Sequence, residues 1–300
     1  MRLLVIGAGG VGGYLGARLL AAGADVTFVA RGAHAQALRE RGLLIRGPRG
    51  DERVALPRVL EAQQLQGQFD VALLAVKWPG LEQACDELPR VLTPEGVVLP
   101  FLNGLSSEEV VASYVGAQRT IAAVAYMSAG LLGPGEIYVH GNTRVGIAAY
   151  RPGQDAWLEV LGKLFTRAEL PVRAHPEYRS MLWEKMIWNA PFNAICALTG
   201  KNAGDALTLV PDLVREAMSE VIAVARAEGV QISDVMLDVM LQVSRSEYPK
   251  TEPSMLQDVR AGRPTEVEIL QGAVTQRGAQ LGVETPVMRT LAALMRGVSG

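Results

Sequence analysis

The sequence predicts an α/β protein whose first half is a parallel sheet layered between helices and whose second half is helical throughout. Three observations predict it. Short, nearly continuous apolar runs alternate with helical spacing as far as Pro171. The first of these runs breaks directly into glycines. After Pro176, apolar residues recur at helical spacing almost without interruption.

Leu3–Ile6 is a compact apolar strand, and Gly12–Ala22 has helical spacing that stops at Gly23. Asp25–Ala30 (DVTFVA) is a second strand, Phe69–Val76 (FDVALLAV) a third and Val97–Leu102 (VVLPFL) a fourth; Ile121–Tyr126 is a fifth. Such runs, with helices between them, imply a parallel sheet covered on both faces. Ile137–Ala149 sets Gly-Asn-Thr between two β-like runs, which reads as a hairpin at the sheet edge. The domain boundary falls near Pro171–Pro176 and divides 1–172 from 173–300. Beyond it Glu177–Leu198 is one long helix kinked at Pro191. Further helices are expected near Val210–Glu228, Ser233–Val243, Met255–Ala261, Glu266–Leu281 and Pro286–Met295.

Composition removes several classes of function. The chain has 300 residues, which suits two domains. Its 29 basic and 31 acidic residues nearly cancel, so no nucleic acid or anionic membrane surface is indicated as partner. No apolar run approaches the length of a membrane span, and the N-terminal run is too short for a signal peptide. Cys85 and Cys196 stand alone, so neither a disulfide framework nor a metal site is expected, and a reducing, cytoplasmic compartment fits. Only five of the basic residues are lysines: Lys77, Lys163, Lys185, Lys201 and Lys250. A chain that favours arginine for general charge keeps lysine where an ammonium is needed; codon usage explains the scarcity as well.

Gly7-Ala8-Gly9-Gly10-Val11-Gly12 reads G-x-G-x-x-G, and here it follows a strand and opens a helix. Gly7 permits a tight turn, Gly9 lets backbone approach a pyrophosphate, and Gly12 lets helix and strand pack closely. The first domain is therefore expected to be of Rossmann type and to bind a dinucleotide. An acidic residue at the end of the second strand would hold the ribose of NAD or FAD. This chain has Ala30-Arg31 there, and an arginine suits the 2′-phosphate of NADP. A solvated surface arginine is the plainer alternative. Lys77 and Asn103 each follow a strand at its C-terminal end, where ligands bind in open α/β sheets. Asn103 is placed to bond the nicotinamide ribose or amide, though both residues also serve as ordinary strand-end turns.

In the second half, Lys185, Asn189 and Asn193 fall at i, i+4 and i+8 of a largely apolar helix, so they share one face. Unpaired polar groups in such a helix are costly to bury, and a wet cleft explains them better than a solvated stripe. A lysine with two amides can hold a carbonyl, hydroxyl or carboxylate, and its ammonium is a competent acid toward an alkoxide. Ser254 reads as an N-cap, which also makes a carboxylate cradle. Glu266 opens the next helix, where it favours the helix dipole. His34, His140 and His175 fall in a loop, a hairpin and a linker, without an acidic orienter.

On these residues the chain resembles the ketopantoate reductase (2-dehydropantoate 2-reductase) family over essentially its full length. The matching pieces, in order, are GAGGVG, Arg31, the Lys77 strand end, Asn103-Gly104, LWEKMIWNAPFNAICAL and SMLQDVRAGRPTEVEILQG. The resemblance implies NADPH-dependent reduction of ketopantoate to pantoate, in pantothenate and coenzyme A biosynthesis. It makes Lys185 the general acid and gives Asn189 and Asn193 the substrate's carbonyl and hydroxyl region. Ser254 would hold the carboxylate. Glu266 would complete the substrate site and meet the cofactor, with Lys77 and Asn103 on the nicotinamide side. Two departures stand out: a further family asparagine aligns with Ala203, beside Asn202, and Pro-Phe-Leu precedes Asn103. The alternatives are an NADPH-dependent reductase of another 2-keto acid and an NADPH-sensing protein without turnover. A helical second domain of this kind can pair with its copy, so a homodimer stays open.

Overall fold

In the computed structural model, which describes residues 1–47, 50–56 and 58–299, β1 (Arg2–Ile6) alternates its side chains between two cores. Leu3 and Val5 enter one core, with Val71, Leu73, Val97 and Leu99. Leu4 and Ile6 enter the other, with Ala72, Leu74 and Val98. A strand buried on both faces needs apolar residues at every position, which is why these runs are continuous.

Nine further strands follow among the described residues: β2 (Asp25–Val29), β3 (Leu43–Gly47), β4 (Gly50–Val54), β5 (Val59–Leu60), β6 (Phe69–Leu74), β7 (Leu92–Pro100), β8 (Ile121–Gly133), β9 (Glu136–Ala149) and β10 (Val172–His175). The first sheet is wholly parallel, in the order β5-β2-β1-β6-β7. The chain travels outward on one side of β1 and then crosses to β6 on the other. That reversal leaves a crevice at the C-terminal ends of β1 and β6, the place where α/β sheets bind ligands. The connecting helices are α1 (Gly10–Ala21), α2 (Gly32–Arg41), α3 (Leu81–Asp86), α4 (Leu88–Val91), α5 (Ser107–Val115) and α6 (Asp155–Arg167).

The second sheet corrects two expectations. Ile121–Tyr126 does not extend the parallel sheet; it belongs to β8, which pairs antiparallel with β9 through a turn at Pro134-Gly135. Gly141-Asn142-Thr143 is not a hairpin turn either. Ser128 pairs with His140 and Tyr126 with Arg144, so three residues of β9 bulge opposite Met127 alone. Gly141 takes φ 72°, which lets the strand absorb the extra residues and continue. Turn and bulge ask for the same residue types, and the long partner strand decides between them.

The chain divides into two compact units: Met1–Leu102 with Ser106–Tyr178, and Asn103–Leu105 with Arg179 onward. β10 lies in the first unit's sheet, beside β9. The second unit has no strand among its described residues. It is built from α7 (Tyr178–Thr199), α8 (Ala203–Leu209), α9 (Pro211–Ala227), α10 (Met236–Ser246), α11 (Ser254–Arg260), α12 (Ala273–Leu281) and α13 (Pro286–Ser299). Pro191 lies inside α7. The helix expected over Glu266–Leu281 opens as a π turn, Glu268–Gly272, and only then becomes α12. No described helix is long and apolar enough to cross a membrane.

One buried carboxyl makes the first unit sensitive to pH. Glu108, in the first turn of α5, is 1% exposed; its Oε2 accepts the Ser107 hydroxyl and its Oε1 has no partner among the described residues. Burial pushes its pKa up from 4.5 to about 7. The folded state therefore holds a proton that the unfolded chain releases. That contribution is complete below pH 4.5 and is lost as pH rises through 7. Glu108→Gln is expected to flatten the fall in Tm between about pH 5 and 8. Thermal unfolding across that range checks it; a Tm difference as large as in the wild type refutes the assignment.

Candidate functional site

The chain leaves β1 beside β6 and must turn at once. Gly7 does so at φ 97°, where a Cβ would lie 2.6 Å from the Ala75 carbonyl oxygen. Gly12, early in α1, would bring a Cβ to 2.1 Å from the Gly7 oxygen. Absent side chains at these two points let the helix sit down on the strand. Gly9, the N-cap of α1, differs: nothing lies within 4 Å of where its Cβ would be. Ala8 is buried behind the turn, and Gly10 and Val11 are the first helical residues. The opening at Gly9 faces a helix start whose first N–H groups have no acceptor in the helix, which suits an anion.

At the end of β2 no carboxylate is present. Asp25 stands at the strand's other end, paired with Arg58 at 2.9 Å. Arg31 is the N-cap of α2, is exposed, and its guanidinium has no partner among the described residues. Lys77 is exposed three residues beyond β6 and begins a short 3₁₀ turn, Trp78–Gly80. The glycine turn, Arg31 and Lys77 thus share the C-terminal edge of the parallel sheet.

In the helical unit, α7 carries Lys185, Asn189 and Asn193 on one face. Asn193 is 2% exposed. Its Oδ1 accepts the Met255 N–H at 2.9 Å and the Ser254 hydroxyl at 3.2 Å, while its Nδ2 donates to the Asn189 carbonyl at 2.9 Å. Ser254 is not the N-cap of α11, as the sequence suggested. Pro253 is, and a proline has no side-chain acceptor to offer. Asn193 therefore caps α11 from a different helix.

Asn103 belongs to this group as well. Its Nδ2 donates to Glu266 Oε2 at 2.9 Å, and Asn189 Nδ2 reaches Asn103 Oδ1 at 3.5 Å. Glu266 stands at the helix start: it precedes the π turn by two residues, and its carbonyl accepts the Leu270 N–H. Asn103, Asn189, Asn193, Ser254 and Glu266 are thus gathered together, with half-buried Lys185 one turn before Asn189. Asn202 has its side-chain Oδ1 committed to the Asp205 N–H as the cap of α8, and Ala203 is fully buried.

Glu228 was not evident from sequence. It accepts Trp183 Nε1 at 2.5 Å and is ion-paired with Arg277, whose Nη2 reaches the Leu105 carbonyl at 3.5 Å. It thereby links α7, just before Lys185, to the Asn103–Leu105 loop. The available signal was a carboxylate at the C-terminal end of α9, where the helix dipole disfavours one. Burial pushes the Cys85 and Cys196 thiols up to about 11 and about 12, so neither is a thiolate nucleophile near neutrality. Among the described residues no group of three His, Cys, Asp or Glu is placed to hold a metal.

Asn193→Ala would strand the Met255 N–H without an acceptor. It is expected to lower stability by about 2 kcal/mol or more, a buried unsatisfied donor plus the lost bonds. Urea unfolding measures this, and an unchanged midpoint would show that the amide caps nothing.

Comparison with known proteins gives consistent matches. A family model described as ketopantoate reductase PanE/ApbA matches residues 3–152, and its C-terminal counterpart matches residues 177–299. A 2-dehydropantoate 2-reductase from Halobacterium salinarum is 30% identical, the alignment covering 99% of this chain and 98% of that one. The crystal structure of 2-dehydropantoate 2-reductase from Geobacter metallireducens is 32% identical, with TM-score 0.92 and 99% of each chain covered. D-mandelate dehydrogenase, solved with NADH and anilino(oxo)acetate, shares the fold at TM-score 0.92 and 23% identity, over 100% of this chain and 98% of that one.

Proposed function

The chain belongs to the ketopantoate reductase family, and from that we propose that it reduces 2-dehydropantoate (ketopantoate) to pantoate with NADPH, a step in pantothenate and coenzyme A biosynthesis. The observation that carries the reading is the polar group of Asn103, Asn189, Asn193, Ser254 and Glu266, one turn from Lys185. Ketopantoate has a ketone, a carboxylate and a hydroxyl. Lys185 offers a cation for the first, Ser254 a hydroxyl donor for the second and Glu266 a carboxylate acceptor for the third.

The first unit's residues fit a phosphorylated dinucleotide. The opening at Gly9 leaves room for a pyrophosphate against the start of α1, and Arg31 can fork onto a 2′-phosphate with no carboxylate competing for it. Lys77 lies on the same edge and is assigned to the nicotinamide side. Bound NADPH supplies the hydride. Lys185 supplies the acid: its ammonium bonds the ketone oxygen, stabilises the negative charge that grows there as C2 is reduced, and gives that oxygen a proton. The lysine is left as a neutral amine and the ketone as an alcohol. Asn189 steadies the same oxygen. The Ser254 hydroxyl has a single proton, so it turns from Asn193 to donate to the substrate carboxylate. Asn193 keeps the Met255 N–H and holds the start of α11 in place. Glu266, oriented by Asn103, accepts the substrate hydroxyl.

A second reading, reduction of a different 2-keto acid, is favoured by Ala203 and by the committed side-chain Oδ1 of Asn202. Following NADPH absorbance with ketopantoate beside a panel of 2-keto acids separates the two. NADPH binding with no turnover of any panel member would leave neither standing. Lys185→Ala is expected to lower kcat by about 100-fold or more, the scale of a lost general acid; near-normal turnover by folded protein would exclude that role. Arg31→Ala is expected to raise the KM for NADPH and to narrow the preference for NADPH over NADH by about tenfold. An unchanged preference would remove Arg31 from the 2′-phosphate.

A further inference from the structure

His34 lies in the first turn of α2, three residues beyond Arg31, and both of its ring nitrogens are engaged with backbone. Nε2 lies 2.8 Å from the Ala8 carbonyl oxygen, inside the glycine turn. Nδ1 lies 3.0 Å from the Gly135 nitrogen, in the turn between β8 and β9. A carbonyl can only accept and an N–H can only donate. The ring is therefore the neutral tautomer with its proton on Nε2.

The bond to Ala8 has a directional consequence. In a trans peptide the C=O and the following N–H point in opposite directions, and no described peptide bond is cis. Holding the Ala8 oxygen toward His34 therefore aims the Gly9 N–H away from it. Gly9 is the residue whose absent Cβ leaves open space. The second bond ties the same ring to the β8–β9 hairpin. The backbone of that hairpin packs against Gly10: a Cβ there would lie 2.5 Å from the Gly130 nitrogen. One imidazole thus connects the helix that follows Arg31, the glycine turn and the hairpin that supports it.

We propose that His34 is a positioning residue for the cofactor pyrophosphate: it fixes the Ala8–Gly9 peptide so that the Gly9 N–H faces the phosphates. The proposal rests on the dinucleotide reading of the glycine turn. It separates His34 from Arg31 by what each affects. Arg31 acts on the 2′-phosphate, which NADH lacks, whereas His34 acts on the pyrophosphate, which both cofactors carry.

The test is the dissociation constant of NADPH and of NADH, read by cofactor fluorescence, with kcat and the keto-acid KM measured at saturating NADPH. His34→Phe keeps a ring and removes both bonds. It is expected to weaken both cofactors by the same factor, about tenfold, while kcat and the keto-acid KM hold. His34→Gln keeps a donor that reaches Ala8 and is expected to recover most of the loss. If His34→Phe does not fold, His34→Asn replaces it, since its amide is too short to reach the Ala8 oxygen. Unchanged cofactor binding in the folded variant overturns the proposal, as does a glutamine variant no better than phenylalanine. Wild-type protein that binds neither cofactor overturns the dinucleotide reading itself; wild-type binding with an unaffected variant overturns His34 alone.

Discussion

The amide of Asn193 is the joint on which the helical unit's polar group depends. α11 starts at a proline N-cap and so lacks an acceptor of its own for its first N–H groups. Asn193 supplies that acceptor from the middle of α7, and its own NH₂ donates one turn back to the Asn189 carbonyl. A buried amide with any of these bonds missing would be a liability, so the two helices are held in one relative register. Ser254 and Asn189 take their places from that register. Asn103 and Glu266 complete the arrangement through a bond between residues 163 positions apart in sequence.

The sheet unit depends on a different constraint, the absence of side chains at Gly7 and Gly12. Their near-contact distances to the Ala75 and Gly7 backbone leave no room for a Cβ. Gly9 leaves its space open instead. Three glycines in one motif therefore do three separate things: turning the chain, packing a helix on a strand, and leaving open space at the helix start. His34 adds direction to that room by holding the peptide before Gly9.

Where the sequence misled, the fault was local chemistry shared by two structures. Gly-Asn-Thr suits a turn, and it also suits the bulge found within β9. Serine before an apolar run suits an N-cap, yet Ser254 is the first helical residue because Pro253 takes the cap position. Glu266 stands at a helix start as expected, but the first turn is a wide π turn. His34 was placed in a loop without an acidic orienter; its partners, a backbone carbonyl and a backbone N–H, leave no mark in sequence.

The sequence by itself determined the layered α/β half, the helical half and the polar residue types of the candidate site. Those follow from apolar periodicity, glycine spacing and the i, i+4, i+8 stripe on α7, all of which are local. Only tertiary structure decided which polar groups meet and which are already spent. Asn193 caps another helix, Asn103 is joined to Glu266, and His34 grips the glycine turn. Hydrogen bonds of this kind form between residues far apart in the chain. Their partners are backbone atoms or common polar side chains, so no local pattern announces them.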